Sequence, residues 1–527
     1  MDNLVRDVIV LGGGTAGWMT AAYLHKAFEG NINITVIEAP SIPRIGVGEA
    51  TIPNLQSVFF DFLGIPEAEW MVECRASYKC AVKFINWKQP PVKGIDDHFY
   101  HPFDQIPICN NVPLSQYWFL RNQSNESESF DYACFKEIPS LDALCSPYMM
   151  DGTQKISHAW HFDAHFVAEY LKKWSIKRGV QHVVDTLNQA FLDEKGYISG
   201  LHMESGITLS ADLFVDCSGF RGLLVNKALN EPFLDMSDYL LCDRAVATAV
   251  LAHDKQNEIE PYTSAIALKY GWVWKIPQFG RLGTGYVYSS KFVSDDDAVD
   301  EFLGLWNLDP SKVTLNKIQF RTGRNRRSWV KNCVSIGLSS CFVEPLESTA
   351  IYFTYAAIYQ LVKHFPDKSF NHVIIDRFNQ EIELMFDDTI DFIQAHYFAS
   401  PRDDTPFWKA NQHELHLSDS LKSKLESYKA GLPVNQVSDI ERFYSSFETN
   451  FHTYWNNTSY YVILSGLGYL PDSPMSKLLY QPSYQAKAIT MFASIKQESR
   501  QLLTELPSLF EYLQKLYKRE TKGQNLV

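Results

Sequence analysis

Apolar positions in the first fifty residues fall in strand-length runs, and those in the last third fall on helical stripes. Val8-Ile-Val-Leu11 is an unbroken apolar run, as expected of a parallel strand buried on both faces. Glycines follow it. Thr15 to Phe28 then carries Met19, Ala22, Tyr23 and Ala27 at helical spacing. Ile32-Asn-Ile-Thr-Val-Ile37 reads as the next strand, closed by Glu38. Between about Phe62 and Pro113 the pattern loosens and aromatics accumulate, and Pro90-Pro91 and the polar stretch 122–129 read as loops. Ala159 to Trp174 is predicted as a helix, with strands near Val183, Ile198, Tyr286 and Val334. Leu213-Phe-Val-Asp216 is a further strand running into a tight turn. After residue 350 the chain becomes mainly helical. Phe378, Ile382, Met385, Thr389, Ile393 and Tyr397 form one stripe. No linker rich in Gly, Ser or Pro and no internal repeat divides the chain. The pattern predicts one α/β body with a helical region packed on it.

Composition narrows the class. With 527 residues, 46% hydrophobic and 21% charged, the chain can bury a large core and is not disordered. Its net charge of −13 argues against a nucleic-acid partner. No apolar run has membrane-spanning length, and Met1 to Asp7 carries no signal-peptide core. Nine scattered cysteines without a Cys-x-x-Cys pair suit reduced thiols in a cytoplasm better than a disulfide frame or a metal site.

Gly12-x-Gly14-x-x-Gly17 follows the first strand and opens the first helix. Such glycines let the backbone approach a pyrophosphate, and the helix N-terminus supplies free N–H groups. Glu38, 21 residues past Gly17, is placed to bind ribose hydroxyls. Asp216-Cys-Ser-Gly219 resembles the returning segment of FAD-dependent monooxygenases, and Val334-Ser-Ile-Gly337 a late turn that meets the ribityl chain. No second Gly-x-Gly-x-x-Gly for a nicotinamide is present. FAD is therefore favoured over NAD, with reducing equivalents arriving from outside.

Further motifs run from residue 12 to about 470. They are Gly12-Gly-Gly-Thr-Ala-Gly17, Arg44-Ile-Gly-Val-Gly-Glu-Ala-Thr51, Tyr78-Lys79, Tyr100-His-Pro-Phe103, Trp272-Val-Trp-Lys-Ile-Pro277, Phe342-Val-Glu-Pro-Leu-Glu-Ser-Thr349 and Trp455-Asn-Asn457. In these the chain resembles the flavin-dependent tryptophan halogenases, with the 6- and 7-halogenases as its models. The resemblance implies an FAD-binding monooxygenase-like fold. Residues 1–350 would form the FAD-binding α/β body, interleaved with a substrate segment at about 75–150, and 351–527 a helical region completing the pocket. It implies FADH2 supplied by a separate flavin reductase, O2, and chloride or bromide. A flavin hydroperoxide yields hypohalous acid, which crosses a tunnel to a lysine beside a small indole substrate. It also allows a homodimer.

Residue by residue, the resemblance makes Lys79 the halogen-carrying amine and Glu347 the acceptor of the ring proton. FAD would be held by Gly12, Gly14, Thr15, Ala16, Gly17, Glu38, Arg44, Val47, Glu49, Leu187, Leu338 and Ile351. Thr349 and Ala350 match a halide site; Ala350 stands where the family usually has glycine, and a positive φ there would add strain. Trp272 and Trp274 would line the tunnel. Desolvation in an apolar pocket would lower the Lys79 pKa toward neutrality. Glu344 reads as a structural hydrogen-bond acceptor.

His101, Phe103 and Trp455 match residues that sandwich the indole ring. Phe443, Tyr444, Asn450 and Tyr454 occupy the positions that hold the amino-acid end. There Asn450 replaces a glutamate that would pair with the substrate ammonium, and Ser459 stands where relatives often have asparagine. Free tryptophan is the expected substrate. Another indole, a peptide-held tryptophan, or hydroxylation by a flavin-dependent aromatic hydroxylase are the alternatives. The attacked carbon (C5, C6 or C7) and the preferred halide are not encoded in any motif.

Overall fold

The computed structural model describes residues 3–41, 48–122, 128–251, 258–435 and 454–521. Strand Asp7–Leu11 sits inside a six-stranded sheet ordered 181–184, 33–38, 7–11, 213–216, 333–335, 329–330. All neighbours are parallel except the last pair. Val10 faces Val36 on one side and Val215 on the other. Val8, Ile9 and Val10 are buried, as the unbroken apolar run requires. Helix Thr15–Ala27 crosses over from this strand and packs on helices Ala164–Ile176 and Thr349–Lys363.

A seven-stranded sheet stands beside it, ordered 316–319, 244–251, 281–288, 271–278, 262–267, 81–85, 98–102. Its neighbours are antiparallel except 262–267 with 81–85. The loosely patterned segment thus donates two strands to a sheet whose other members begin only at Arg244, more than 140 residues further along the chain. A small sheet, 49–50, 159–162, 77–79, lies against strands 271–278 and 262–267 of this sheet. The last third is helical, led by the 28-residue helix His372–Ala399, which carries the expected stripe. The main buried apolar cluster draws residues from Val5 to Leu513, through both halves.

One element differs from expectation. Ala159–Phe162 is a strand, and the helix begins only at Ala164. Asp163 caps it by accepting from the His165 N–H at 2.9 Å. Pairing of Ala159–Phe162 with strands 49–50 and 77–79 overrides its local helical look.

Candidate active site

The glycine turn is built for close approach. Gly12 has φ +129, and a Cβ there would lie 2.2 Å from the Cys217 carbonyl oxygen; one on Gly17 would lie 1.8 Å from that of Gly12. Gly14 is the opposite case, with open space where its Cβ would be. It caps helix Thr15–Ala27 with no side chain of its own, so the first N–H groups of Thr15 and Ala16 have no side-chain cap. The late turn closes over them: a Cβ on Gly337 would meet Ala16 Cβ at 2.8 Å, beside half-buried Leu338. Buried Ile351 lies in the first turn of helix Thr349–Lys363. A pyrophosphate fits this cradle of open space, exposed N–H groups and helix dipole. Glu38 packs on Gly13, and its Oε2 accepts from Lys172 Nζ (3.0 Å) and lies 2.9 Å from His182 Nε2. Glu49 accepts from the Ala164 N–H (2.7 Å), and Thr15 Oγ1 donates to the Ala164 carbonyl (3.1 Å). Leu187 opens strand Leu187–Leu192. Arg44 and Val47 lie outside the described residues.

Lys79 ends strand Ser77–Lys79, and strand Ala81–Ile85 begins two residues later in another sheet. At that transfer point the ammonium is turned inward and is fully buried. Nζ donates to the Thr51 carbonyl (2.9 Å) and to Ser348 Oγ (2.8 Å), and stands 5.1 Å from the centre of the Phe103 ring. Register explains the aromatic neighbour: Ala81 pairs with Pro102, so Phe103 continues toward Lys79. Burial pulls the amine down from 10.5 to about 7, and the Glu347 charge opposes this only in part.

Glu347 and Ser348 form the turn before helix Thr349–Lys363. Ser348, at φ +64, is left-handed, which lets adjacent side chains serve adjacent groups: Ser348 binds Lys79, and Glu347 binds two imidazoles. His101 Nδ1 lies 2.8 Å and His396 Nε2 3.0 Å from Glu347 Oε1. Burial would raise this carboxyl, but the two imidazoles more than offset it and hold it at about 2. The left-handed residue is thus Ser348, and Ala350 lies within the helix, so the strain considered for a glycine replacement does not arise. Thr349 is fully buried, and its Oγ1 has no partner among the described residues.

The ring clamp is backed by helix His372–Ala399. Trp455 stacks on Phe392 (4.3 Å, 18°), and its indole N–H donates to Thr389 Oγ1 at 3.2 Å. His101 meets the same Phe392 edge-on at 5.9 Å. Tyr454 packs on Trp455 and Tyr352, both at 4.8 Å. Phe443, Tyr444 and Asn450 lie outside the described residues, and Ser459 is in helix Asn457–Gly466.

Trp272 and Trp274 project from the same face of strand Gly271–Gln278, with ring centres 6.3 Å apart, and both are buried. Gly285 makes room for the second, since a Cβ there would lie 2.3 Å from the Trp274 ring. The Trp272 N–H donates to Glu344 Oε1 at 2.9 Å, and Tyr397 OH donates to the same oxygen. Burial raises Glu344 to about 7. Two glutamates three residues apart are thus driven in opposite directions by their surroundings.

Sequence reasoning did not single out Ser348, Phe392, His396 or the partnership of Tyr397 with Glu344. Thr389 and Tyr397 lay on the apolar stripe and read as core. Ser348 lay inside a quoted motif but had no role until Lys79 was seen to reach it.

Known proteins resemble this chain along nearly its whole length. The tryptophan halogenase family model matches residues 7–482. The tryptophan 6-halogenase ThaL of Streptomyces albogriseolus is 54% identical over 529 residues, spanning 98% of this chain and 99% of that protein. The tryptophan 7-halogenase RebH of Lentzea aerocolonigenes is also 54% identical, over 531 residues, spanning 98% of this chain and 100% of that protein. The crystal structure of the tryptophan 6-halogenase SttH from Streptomyces toxytricini superposes with a TM-score of 0.88 at 39% identity, covering 97% of this chain and 99% of that one. Equal identity to a 6- and a 7-halogenase leaves the attacked carbon to local pocket shape. The site geometry and these comparisons agree: the chain belongs to the tryptophan halogenase family.

Proposed function

We propose that this enzyme halogenates the indole ring of free tryptophan, using FADH2 from a separate flavin reductase, O2 and chloride or bromide. The observation that carries the mechanism is a fully buried Lys79 amine, poised near neutrality, one hydrogen bond from the residue that follows an ionised Glu347. Bound reduced FAD, with O2 and halide, supplies an electrophilic halogen equivalent. The glycine cradle and helix Thr15–Ala27 hold its pyrophosphate. Thr349 and Ala350, at the N-terminus of helix Thr349–Lys363, offer backbone N–H groups to halide. The buried Trp272 and Trp274 would stand between cofactor and substrate, so the ring would meet hypohalous acid rather than the flavin.

Lys79 then hydrogen-bonds hypohalous acid or carries halogen on nitrogen. Near pH 7 the amine is close to half protonated, so both forms are accessible without a large free-energy cost. His101, Phe103 and Trp455 hold the indole flat, where a ring carbon can meet the halogen. Glu347 stabilises the positive charge developing on the ring and takes the proton lost from the attacked carbon. Carbon–halogen bond formation breaks the O–X bond of hypohalous acid, whose hydroxide leaves as water with a proton from the Lys79 ammonium, or breaks the N–X bond and returns the amine; loss of the ring proton to Glu347 then restores aromaticity. Product mass spectrometry with a flavin reductase, FAD, NADH and bromide, across free tryptophan, indole and tryptophan peptides, tests this. Monobromotryptophan as the main product is expected; a bromide-independent hydroxylated product would refute it.

A further inference from the structure

His396 projects from the penultimate turn of helix His372–Ala399 and is fully buried. Its Nδ1 lies 2.7 Å from the Phe392 carbonyl oxygen, one turn earlier. A carbonyl oxygen only accepts, so Nδ1 carries hydrogen. Its Nε2 lies 3.0 Å from Glu347 Oε1. Glu347, proposed above as the unprotonated base that takes the ring proton, can there only accept, so Nε2 carries hydrogen as well. An imidazole with hydrogen on both nitrogens is a cation. His101 needs no such charge, because a neutral ring with Nδ1–H satisfies its contact with Glu347.

We infer that His396 is a positioning residue of the halogenation site, a doubly protonated imidazolium that serves as the fixed counter-ion of Glu347; this rests on the reading of Glu347 as the proton acceptor. The surroundings suit a cation. The rings of Phe392 (4.8 Å), Phe84 (5.2 Å) and Trp87 (6.4 Å) surround it, so the Glu347 carboxylate is the contact that compensates its charge. The other ionisable groups here are His101 from strand His98–Pro102, Lys79 from strand Ser77–Lys79, and the Glu344–Tyr397 pair. A buried carboxylate beside a lysine poised near neutrality would lose a nearby positive charge whenever Lys79 lost its proton. His396 supplies a charge that does not depend on Lys79. In the final step the ring C–H electron pair returns to the ring and the proton goes to Glu347. His396 neither gives nor takes a proton.

The test reads charge and rate separately. In the full-length enzyme labelled with 15N-histidine, the His396 ring is assigned by its absence in His396→Gln or His396→Phe. Both nitrogens are expected at protonated positions from pH 6 to 8, and one is expected to become unprotonated in Glu347→Gln. His396→Gln keeps an N–H donor without the charge. Its kcat relative to wild type is expected to fall at least tenfold between pH 8 and pH 5.5, as Glu347 gains protons in the accessible range. A packing role would give a ratio independent of pH. A singly protonated His396 in the native enzyme, or a flat ratio, overturns the inference. If Glu347→Gln halogenates at full rate, the reading of Glu347 fails, while the ring nitrogens still decide the charge of His396. If neither His396 variant folds, its resonance is assigned by its change in Glu347→Gln, and the same criterion applies.

Discussion

Replacing Lys79 with methionine should abolish halogenation and also make the protein more stable at pH 6. Lys79 is fully buried, and burial holds its pKa at about 7 against an ordinary 10.5. That displacement corresponds to about 5 kcal/mol of unfavourable burial of the charge. The folded value lies below the unfolded one, so between pH 7 and 10.5 the unfolded chain binds more protons. Native stability therefore rises with pH through that window and carries the full penalty below pH 7. Methionine is neutral and of similar length. It forfeits the bonds to Thr51 O and Ser348 Oγ, at about 1 kcal/mol each. The net gain for Lys79→Met at pH 6 is on the order of 2–3 kcal/mol, and it should shrink by about 2–3 kcal/mol by pH 9, as wild-type Lys79 becomes neutral in the fold. Urea unfolding of both proteins at pH 6, 7.5 and 9 measures this, with flavin fluorescence checking that the cofactor site survives. Stability differences that stay parallel across that range would refute the burial argument. Retained halogenation would remove Lys79 from the mechanism.

Glu347→Gln keeps the shape of the side chain but removes its basicity, and should lower kcat by on the order of 10²–10⁴ while FAD affinity is unchanged; single-turnover product assays read this. The purified protein should not oxidise NADH at a useful rate until a flavin reductase is added, which absorbance at the nicotinamide band follows. Asn450→Glu should lower KM for free tryptophan up to about tenfold through a charge-assisted bond to the ammonium. It should leave plain indole unaffected, and equal effects on both substrates would show that this position does not read the amino group.

Local signals were enough to read the first βαβ unit. A strand buried on both faces shows an unbroken apolar run, and the turn after it needs glycine because Cys217 and Gly12 carbonyls occupy the space of any Cβ. Other elements depend on partners far along the chain. Ala159–Phe162 becomes a strand only because Glu49–Ala50 and Ser77–Lys79 flank it, and the true helix start was marked by Asp163, a cap residue that went unread. Strands Ala81–Ile85 and His98–Pro102 are short and rich in aromatics, and their sheet is completed by strands more than 140 residues away, so no window of the sequence displays it. In the candidate site, Lys79, Glu347, His101, Phe103 and Trp455 were singled out through motifs. Their mutual contacts were not, because those arise where a chain changes sheets and where Ser348 takes a left-handed turn.

Helix His372–Ala399 shows why a stripe that reads as core can also be the back wall of a site. Thr389, Phe392, His396 and Tyr397 are spaced three, four and one apart, so they share one side of the helix. Thr389 and Phe392 fix Trp455, His396 fixes Glu347, and Tyr397 fixes Glu344 and through it Trp272. Trp455, Glu347 and Trp272, the residues proposed as clamp, base and tunnel lining, therefore all hang on one element, at positions 0–1% exposed. A register shift or kink in this helix would displace all three together, whereas changes in the loops around them would act one group at a time. Placing the supports on a long buried helix gives the sub-ångström constancy that selection of a single indole carbon demands. Equal identity, 54%, to a tryptophan 6-halogenase and a tryptophan 7-halogenase means that overall similarity does not set the attacked carbon.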